Sequence, residues 1–242
     1  MVFHLQLAET VFQINARFSE TYNMCKNYIV PDSAKVFAEI SATEDELLSE
    51  ASKVPHADYC VKNLKTVENL VLYRKIAELM LNNSAFLMHG AVVAVDDSAF
   101  MFTAKSGVGK TTHILKWLEN APGCFVVNSD KPIIKLTDSE AIAYGTPWCG
   151  KERLGTNTGV PLRAIVFMER DENNAIEEIP FSKVLPNLMQ QIYRPCDADK
   201  MLKTLVLISA LDRKVRFYRF CFNNLKPDAF CTSYEALTGK SV

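Results

Sequence analysis

Ala104-Lys105-Ser106-Gly107-Val108-Gly109-Lys110-Thr111 is the stretch on which the reading of this chain turns. It fits G-x-x-x-x-G-K-[ST] with alanine in the first glycine place. Small residues in such a loop let successive backbone N–H groups curl around phosphate oxygens. The lysine reaches the outer phosphates, and the threonine offers a hydroxyl to Mg²⁺. A helix that begins at the loop adds its positive dipole end. So short a pattern recurs by chance, and context decides: the motif demands an apolar strand before it and a helix after it. Residues 99–103 supply the strand, and a helix through about residue 119, stopped by Pro122-Gly123, follows. Ala104, Lys105, Ser106, Gly107, Val108, Gly109, Lys110, Thr111 and Thr112 are therefore the expected phosphate cradle. The plain alternative is a glycine-rich turn that caps a helix. Alanine at 104 suits the cradle provided its φ is negative.

Upstream, residues 85–95 (AFLMHGAVVAV) form one continuous apolar run, which predicts a single strand. Asp96-Asp97-Ser98 supplies a tight turn, so this strand and the next pair antiparallel and lead straight into the loop. After the helix comes the short apolar run 124–127. Strand, loop, helix and strand in that order define an α/β fold. Further strands are expected at 133–136, 141–144, 163–169 and 215–220. Helices at 182–191, 197–211 and 227–237 would cover the sheet. Toward the N-terminus, residues 62–83 place Leu64, Val67, Val71, Leu72, Ile76, Leu79 and Met80 at spacings of three and four, a helix with one buried face. Residues 2–18 alternate loosely and predict short antiparallel strands, followed by a turn at 19–23. The expected organisation is a small α+β appendage over 1–60 and an α/β domain that carries the glycine-rich loop over 61–242, its sheet flanked by helices.

Composition narrows the partners. The 242 residues carry 48% apolar and 23% charged side chains, close to globular averages. Twenty-seven basic against 28 acidic residues leave a charge of −1, without the basic excess that binds nucleic acid. Seven scattered cysteines with no C-x-x-C pair argue against a disulfide framework and a zinc site. Polar residues interrupt the first thirty positions, so no signal-peptide core is expected, and no stretch approaches the ~20 apolar residues of a membrane span. A cytoplasmic protein without membrane or nucleic-acid partners is expected.

Beyond the loop, several side chains carry chemistry. Asp130 stands just past the run 124–127, where an acid at a strand end holds Mg²⁺ in P-loop enzymes; its plain role is a turn in Asn128-Ser129-Asp130-Lys131-Pro132. His89 precedes Gly90 in the strand next to the loop strand, and an apolar setting more often means a satisfied core histidine. If the hairpin brings His89 to the phosphate end of the sheet, a carboxylate beside it would raise its pKa. Gly145 to Arg153 form a loop with two glycines, Trp148 and a charge triplet, in which Lys151 and Arg153 could meet phosphate and Glu152 a metal. Lys105 and Lys131 are expected to be solvated, and His113 to pack or face solvent. Cys149 has no evident base partner and is not expected to be a nucleophile.

Taken together, Met88-His89-Gly90, the loop from Ala104 to Thr111, Asn128 to Pro132 and Gly145 to Glu152 resemble the HPr kinase/phosphorylase-like P-loop kinases, which are akin to phosphoenolpyruvate carboxykinases. The resemblance spans roughly residues 85–240, is strongest before 155, and implies a P-loop kinase-like domain over 61–242 whose mixed sheet is flanked by helices. It implies ATP and Mg²⁺ as cofactors and transfer to a serine-type hydroxyl of a protein, peptide or small molecule. It also implies a metal set of Thr111, Asp130 and Glu152, and catalytic roles for Asp130, His89 and Lys110. Where the family carries a pair of acids, only Asp130 matches and Ser129 replaces the first. Glu152-Arg153-Leu154-Gly155 matches the family's later metal-binding element loosely. The first third does not look like the HPr kinase regulatory domain, so HPr is not implied as acceptor. The rival expectation is a non-catalytic nucleotide-binding switch that presents the Trp148 loop to a partner. A carboxykinase is disfavoured by the lack of a second set of phosphate- and carboxylate-clamping arginines. The sequence leaves a homo-oligomer open.

Overall fold

Phe12 and Ile14 alternate with polar residues and need one dry face, and an antiparallel hairpin supplies it: β1 (Val2–Leu7) and β2 (Thr10–Asn15) pair along their whole length. Ala8 and Glu9 turn the corner with φ of 45° and 65°, as a tight hairpin requires. The segment expected to be a turn is instead helical, α1 (Ser19–Cys25). Its cause lies far away in sequence. The fully buried Glu68 carboxylate accepts from the N–H groups of Arg17 (2.6 Å) and Phe18 (3.3 Å) and from the Thr21 hydroxyl, anchoring the chain as it enters the helix. Strands β3 (Ile29–Val30) and β4 (Ala38–Ser41) complete a four-stranded sheet ordered β3-β1-β2-β4. A Thr43/Glu46 capping box opens α2 (Glu44–Ser52). It packs on α3 (Leu64–Met80), which buries Val67, Val71, Leu72, Ile76 and Met80.

The structure, a computed structural model, describes residues 1–53, 64–223, 226 and 228–241. Residues 54–63, within the expected appendage and helix start, and Pro227, the expected start of the last helix, lie outside the described residues. The chain divides into Met1–Asn83 and Ser84–Val242, so α3 belongs with the first unit and the boundary falls at 83/84 rather than 60/61.

In the second unit the expected strand 85–95 is broken. β5 (Ala85–Leu87) pairs with β9 (Ile133–Leu136), while β6 (Ala91–Val95) pairs with β7 (Ser98–Thr103). Between them the N–H groups of Met88, His89 and Gly90 leave the ladder for the carbonyls of Pro132 (3.2 Å), Gln191 (2.5 Å) and Asp130 (2.9 Å). A side chain at Gly90 would meet Met101 Cε at 2.5 Å and the Phe102 carbonyl at 2.9 Å, so only glycine lets the backbone cross here. Asp96 and Asp97 form the expected turn with φ of 49° and 58°.

Helix α4 (Lys110–Asn120) and strands β8 (Phe125–Asn128), β10 (Ala141–Tyr144) and β11 (Gly159–Arg170) follow. β12 (Ala175–Glu178), mostly exposed, has too little apolar pattern to be read from sequence. α5 (Phe181–Gln191), α6 (Ala198–Leu211), β13 (Arg216–Phe222) and α7 (Ala229–Thr238) complete the unit. The mixed sheet runs β5-β9-β10-β11-β7-β6-β8, with β13 on β11 and β12 on β13. Trp117 of α4 anchors its core against Phe100, Phe102, Phe230 and Tyr234. β7 and β8 both oppose β6, and β11 and β13 run parallel to β7. The C-terminal ends of β7, β8, β11 and β13 and the start of β6 therefore meet at one edge of the sheet.

Candidate functional site

The glycine-rich loop leaves β7 at that edge and enters α4. Gly107 and Gly109 hold φ of 79° and 123°, values L side chains rarely adopt, while Ala104 stays at negative φ as expected. No side chain caps the start of α4, which leaves the amides of its first turn free for an anion. The Lys110 ammonium, half-buried, donates back to the Ala104 carbonyl at 3.0 Å. Its pKa is lowered by burial and then by Lys131, against the pull of Asp130. From the end of β11, Arg170 clasps the loop from outside: Nε donates to the Val108 carbonyl (3.0 Å) and Nη2 to the Gly107 carbonyl (2.8 Å). Neither Arg170 nor its role was expected, because the motif contains no residue downstream of Thr111 that points to it.

Asp130 is presented by a turn, as its plain reading expects. The buried Asn128 side chain accepts from the N–H groups of Asp130 (2.8 Å) and Lys131 (2.6 Å) and donates to Thr146. Ser129 faces away: it is buried and its hydroxyl donates to the Cys149 carbonyl. Gly150 packs against Asp130. A Cβ built there, at a φ of 69°, would lie 3.7 Å from Asp130 Cγ and 3.8 Å from Glu152 Oε2, so the two carboxylates flank the same point. Lys151, Glu152 and Arg153 are exposed, as expected of the charge triplet.

His89 sits at the break between β5 and β6. Its carbonyl accepts from the Thr103 hydroxyl (2.8 Å), which ties it to the strand feeding the loop. Nε2 stands 3.4 Å from Asp130 Oδ1, and Nδ1 lies 2.8 Å from Gln191 Oε1. In the Nδ1–H tautomer the ring donates to Gln191 and Nε2 keeps its lone pair. Gln191, last residue of α5, was missed because it is 102 positions away; the bridge between Met88 and Ile192 brings it in.

The expected rise in the His89 pKa is corrected. It is lowered, by burial first and then by Lys131 and Lys110, which together outweigh Gln191 and Asp130. Lys131 is likewise not the solvated group expected. It is half-buried 3.8 Å from Asp130, with its pKa lowered by burial. Lys105 is exposed. His113 packs inward among Phe102, Phe220 and Phe222. Burial and then Asp130 push the Cys149 thiol up to about 11, which makes it no nucleophile near neutral pH.

The donor set fits a nucleoside triphosphate with a divalent cation. Free amides and Lys110 suit phosphates, and Thr111, Asp130 and Glu152 carry oxygen atoms of the kind a divalent cation accepts. No cluster of three His, Cys, Asp or Glu groups able to hold a metal ion occurs among the described residues. Among the described residues no helix is long and apolar enough to cross a membrane.

No protein-family description and no curated protein matches the sequence. Among solved structures, the HPr(Ser) kinase/phosphatase of Coxiella burnetii is similar over 62% of this chain and 95% of its own, at 11% identity and a TM-score of 0.38.

Proposed function

We propose that this chain is an ATP-dependent phosphotransferase, a P-loop kinase of the HPr kinase type that delivers a phosphoryl group to a serine-type hydroxyl. The observation that carries the proposal is the meeting of His89, Asp130 and Lys110 at the sheet edge where an uncapped, glycine-rich loop enters α4. ATP with Mg²⁺, when bound, would supply the phosphoryl group, with ADP as the leaving group and the cation neutralising the negative charge on the phosphate oxygens. The loop amides from Ala104 to Thr112 would hold the phosphates and Lys110 their outer oxygens. Thr111 and Asp130 would hold the cation, assisted by Glu152. His89 accepts the hydroxyl proton at Nε2. Gln191 keeps Nδ1–H in place, and the Asp130 carboxylate stabilises the imidazolium that forms. The lowered pKa keeps Nε2 free to accept at neutral pH.

One observation favours the rival reading, a nucleotide-binding switch without turnover: Ser129, where the family pattern places an acid, is buried and bonded to Cys149. Phosphoryl transfer from labelled ATP to hydroxyl-bearing proteins and peptides separates the two. The proposal expects transfer by the native chain and, in Asp130→Asn, a large loss of turnover with much of the nucleotide affinity kept, because that charge acts on the cation and the reacting centre. Nucleotide binding with no transfer to any acceptor would establish the switch instead.

A further inference from the structure

The turn that presents Asp130 also fixes the residue after it. The Lys131 N–H donates to the Asn128 side chain (2.6 Å), its carbonyl accepts from the Thr146 hydroxyl (2.7 Å), and the ring of Pro132 stiffens the chain beyond. With its backbone held on both sides, Lys131 lays its side chain against the site, where it is only 30% exposed.

A lysine in a surface turn ordinarily keeps its ammonium in water, because drawing that charge out of water is costly unless a partner offsets it. The partner here is loose. Lys131 Nζ stands 3.8 Å from Asp130 Oδ1, beyond the ~2.9 Å of a charge-assisted hydrogen bond, and the same oxygen faces His89 Nε2 at 3.4 Å. The Lys131 charge also acts on Lys110, a like charge. Two half-buried ammonium groups thus share one half-buried carboxylate, while Glu152, whose carboxylate flanks the same point, is exposed. Such an arrangement does little for the stability of the free chain and suits an anion with several charged oxygens. Lys110 belongs to the loop; Lys131 stands instead beside His89 and Asp130, where the acceptor hydroxyl is activated.

Resting on the phosphotransferase reading, we propose that Lys131 is a further catalytic residue, whose ammonium holds the oxygens of the transferring phosphoryl group beside His89 and Asp130. In the transfer, the hydroxyl oxygen bonds to the terminal phosphorus as the bond from that phosphorus to the bridging oxygen of ADP breaks, and the hydroxyl proton passes to His89 Nε2. Negative charge is then spread over the equatorial phosphoryl oxygens. A fixed ammonium at those oxygens favours that arrangement over the bound ground state, and ADP alone makes no use of it.

Titration calorimetry with ADP and Mg²⁺, with and without fluoroaluminate as the stand-in for the phosphoryl group in flight, tests this without any acceptor. The native chain should bind the fluoroaluminate complex more tightly than ADP·Mg²⁺. Lys131→Gln should bind ADP·Mg²⁺ within a few-fold of the native chain and lose about a hundredfold of that preference, the loss typical of one removed transition-state donor. Lys131→Met gives the same reading if the glutamine variant is unstable, and Lys131→Arg, which keeps the charge, should recover part of the preference. A native chain that binds neither complex removes the kinase reading itself. If it binds ADP·Mg²⁺ and Lys131→Gln leaves the preference intact, or lowers both affinities equally, the role of Lys131 alone is overturned.

Discussion

At the scale of single residues, His89 is the group whose environment says most about the chemistry. A general base works only when neutral. Because its pKa is lowered from 6.5, the acidic limb of kcat/KM for phosphoryl transfer, which reports the free protein, should fall below pH 6.5, with a flat profile above it. A limb above pH 7 would contradict the assignment. His89→Gln should lower transfer by about a hundred- to ten-thousandfold while nucleotide binding persists, a split that parallel activity and binding measurements would reveal. Cys25 offers an independent check on the first unit. Burial, then Glu68, push its thiol from 9.0 up to about 12. The folded pKa is raised, so the stability of the neutral thiol is complete below pH 9 and is lost as pH rises from 9 toward 12. The unfolding free energy from urea titration should decline across that window, by up to about 1.4 kcal/mol per pH unit from this group, and less steeply in Cys25→Ala. Motif spacing drew attention to His89 and Asp130, yet the sign of the His89 shift could not be read from it. Lys131 looked solvated, and only burial turned it into a charge acting on the imidazole.

Among the elements, local patterning sufficed wherever an element answers to its own period. The expected limits of β9 and β10 coincide with those observed, and α4 follows the loop as predicted. It failed where a distant group decides. Glu68 makes a helix of the stretch after β2, and the carbonyls of Asp130, Pro132 and Gln191 draw the backbone out of the run 85–95. That break is what delivers His89 to the site. Gly90→Ala should therefore lower stability by about 1–3 kcal/mol in chemical denaturation, through the clash with the Phe102 carbonyl, and should depress activity with it. Arg170, at the end of β11, braces the loop through two carbonyls; Arg170→Ala should weaken nucleotide affinity while leaving the unfolding midpoint of the free chain nearly unchanged, because the side chain is exposed. An unaltered affinity would show that the loop holds its shape without that brace.

Across the whole molecule, the α/β class was legible because strand, loop, helix and strand occur in uninterrupted succession. The division between units was not, because the periodicity of α3 says that it buries one face without saying against what; its partner is α2, on the N-terminal side. The site likewise belongs to no single segment. It gathers the loop after β7, the turn after β8, the break before β6, the end of α5 and the Gly150 loop at one sheet edge, and only the sheet order makes them neighbours. The claim that joins them is that this edge binds a nucleoside triphosphate through Lys110. Thermal unfolding with and without ATP and Mg²⁺ tests it most directly. A ligand that binds only the folded state adds about 2.7 kcal/mol at a hundred times its Kd, so the melting temperature of the native chain should rise and that of Lys110→Ala should not. An equal rise in both proteins would contradict the account.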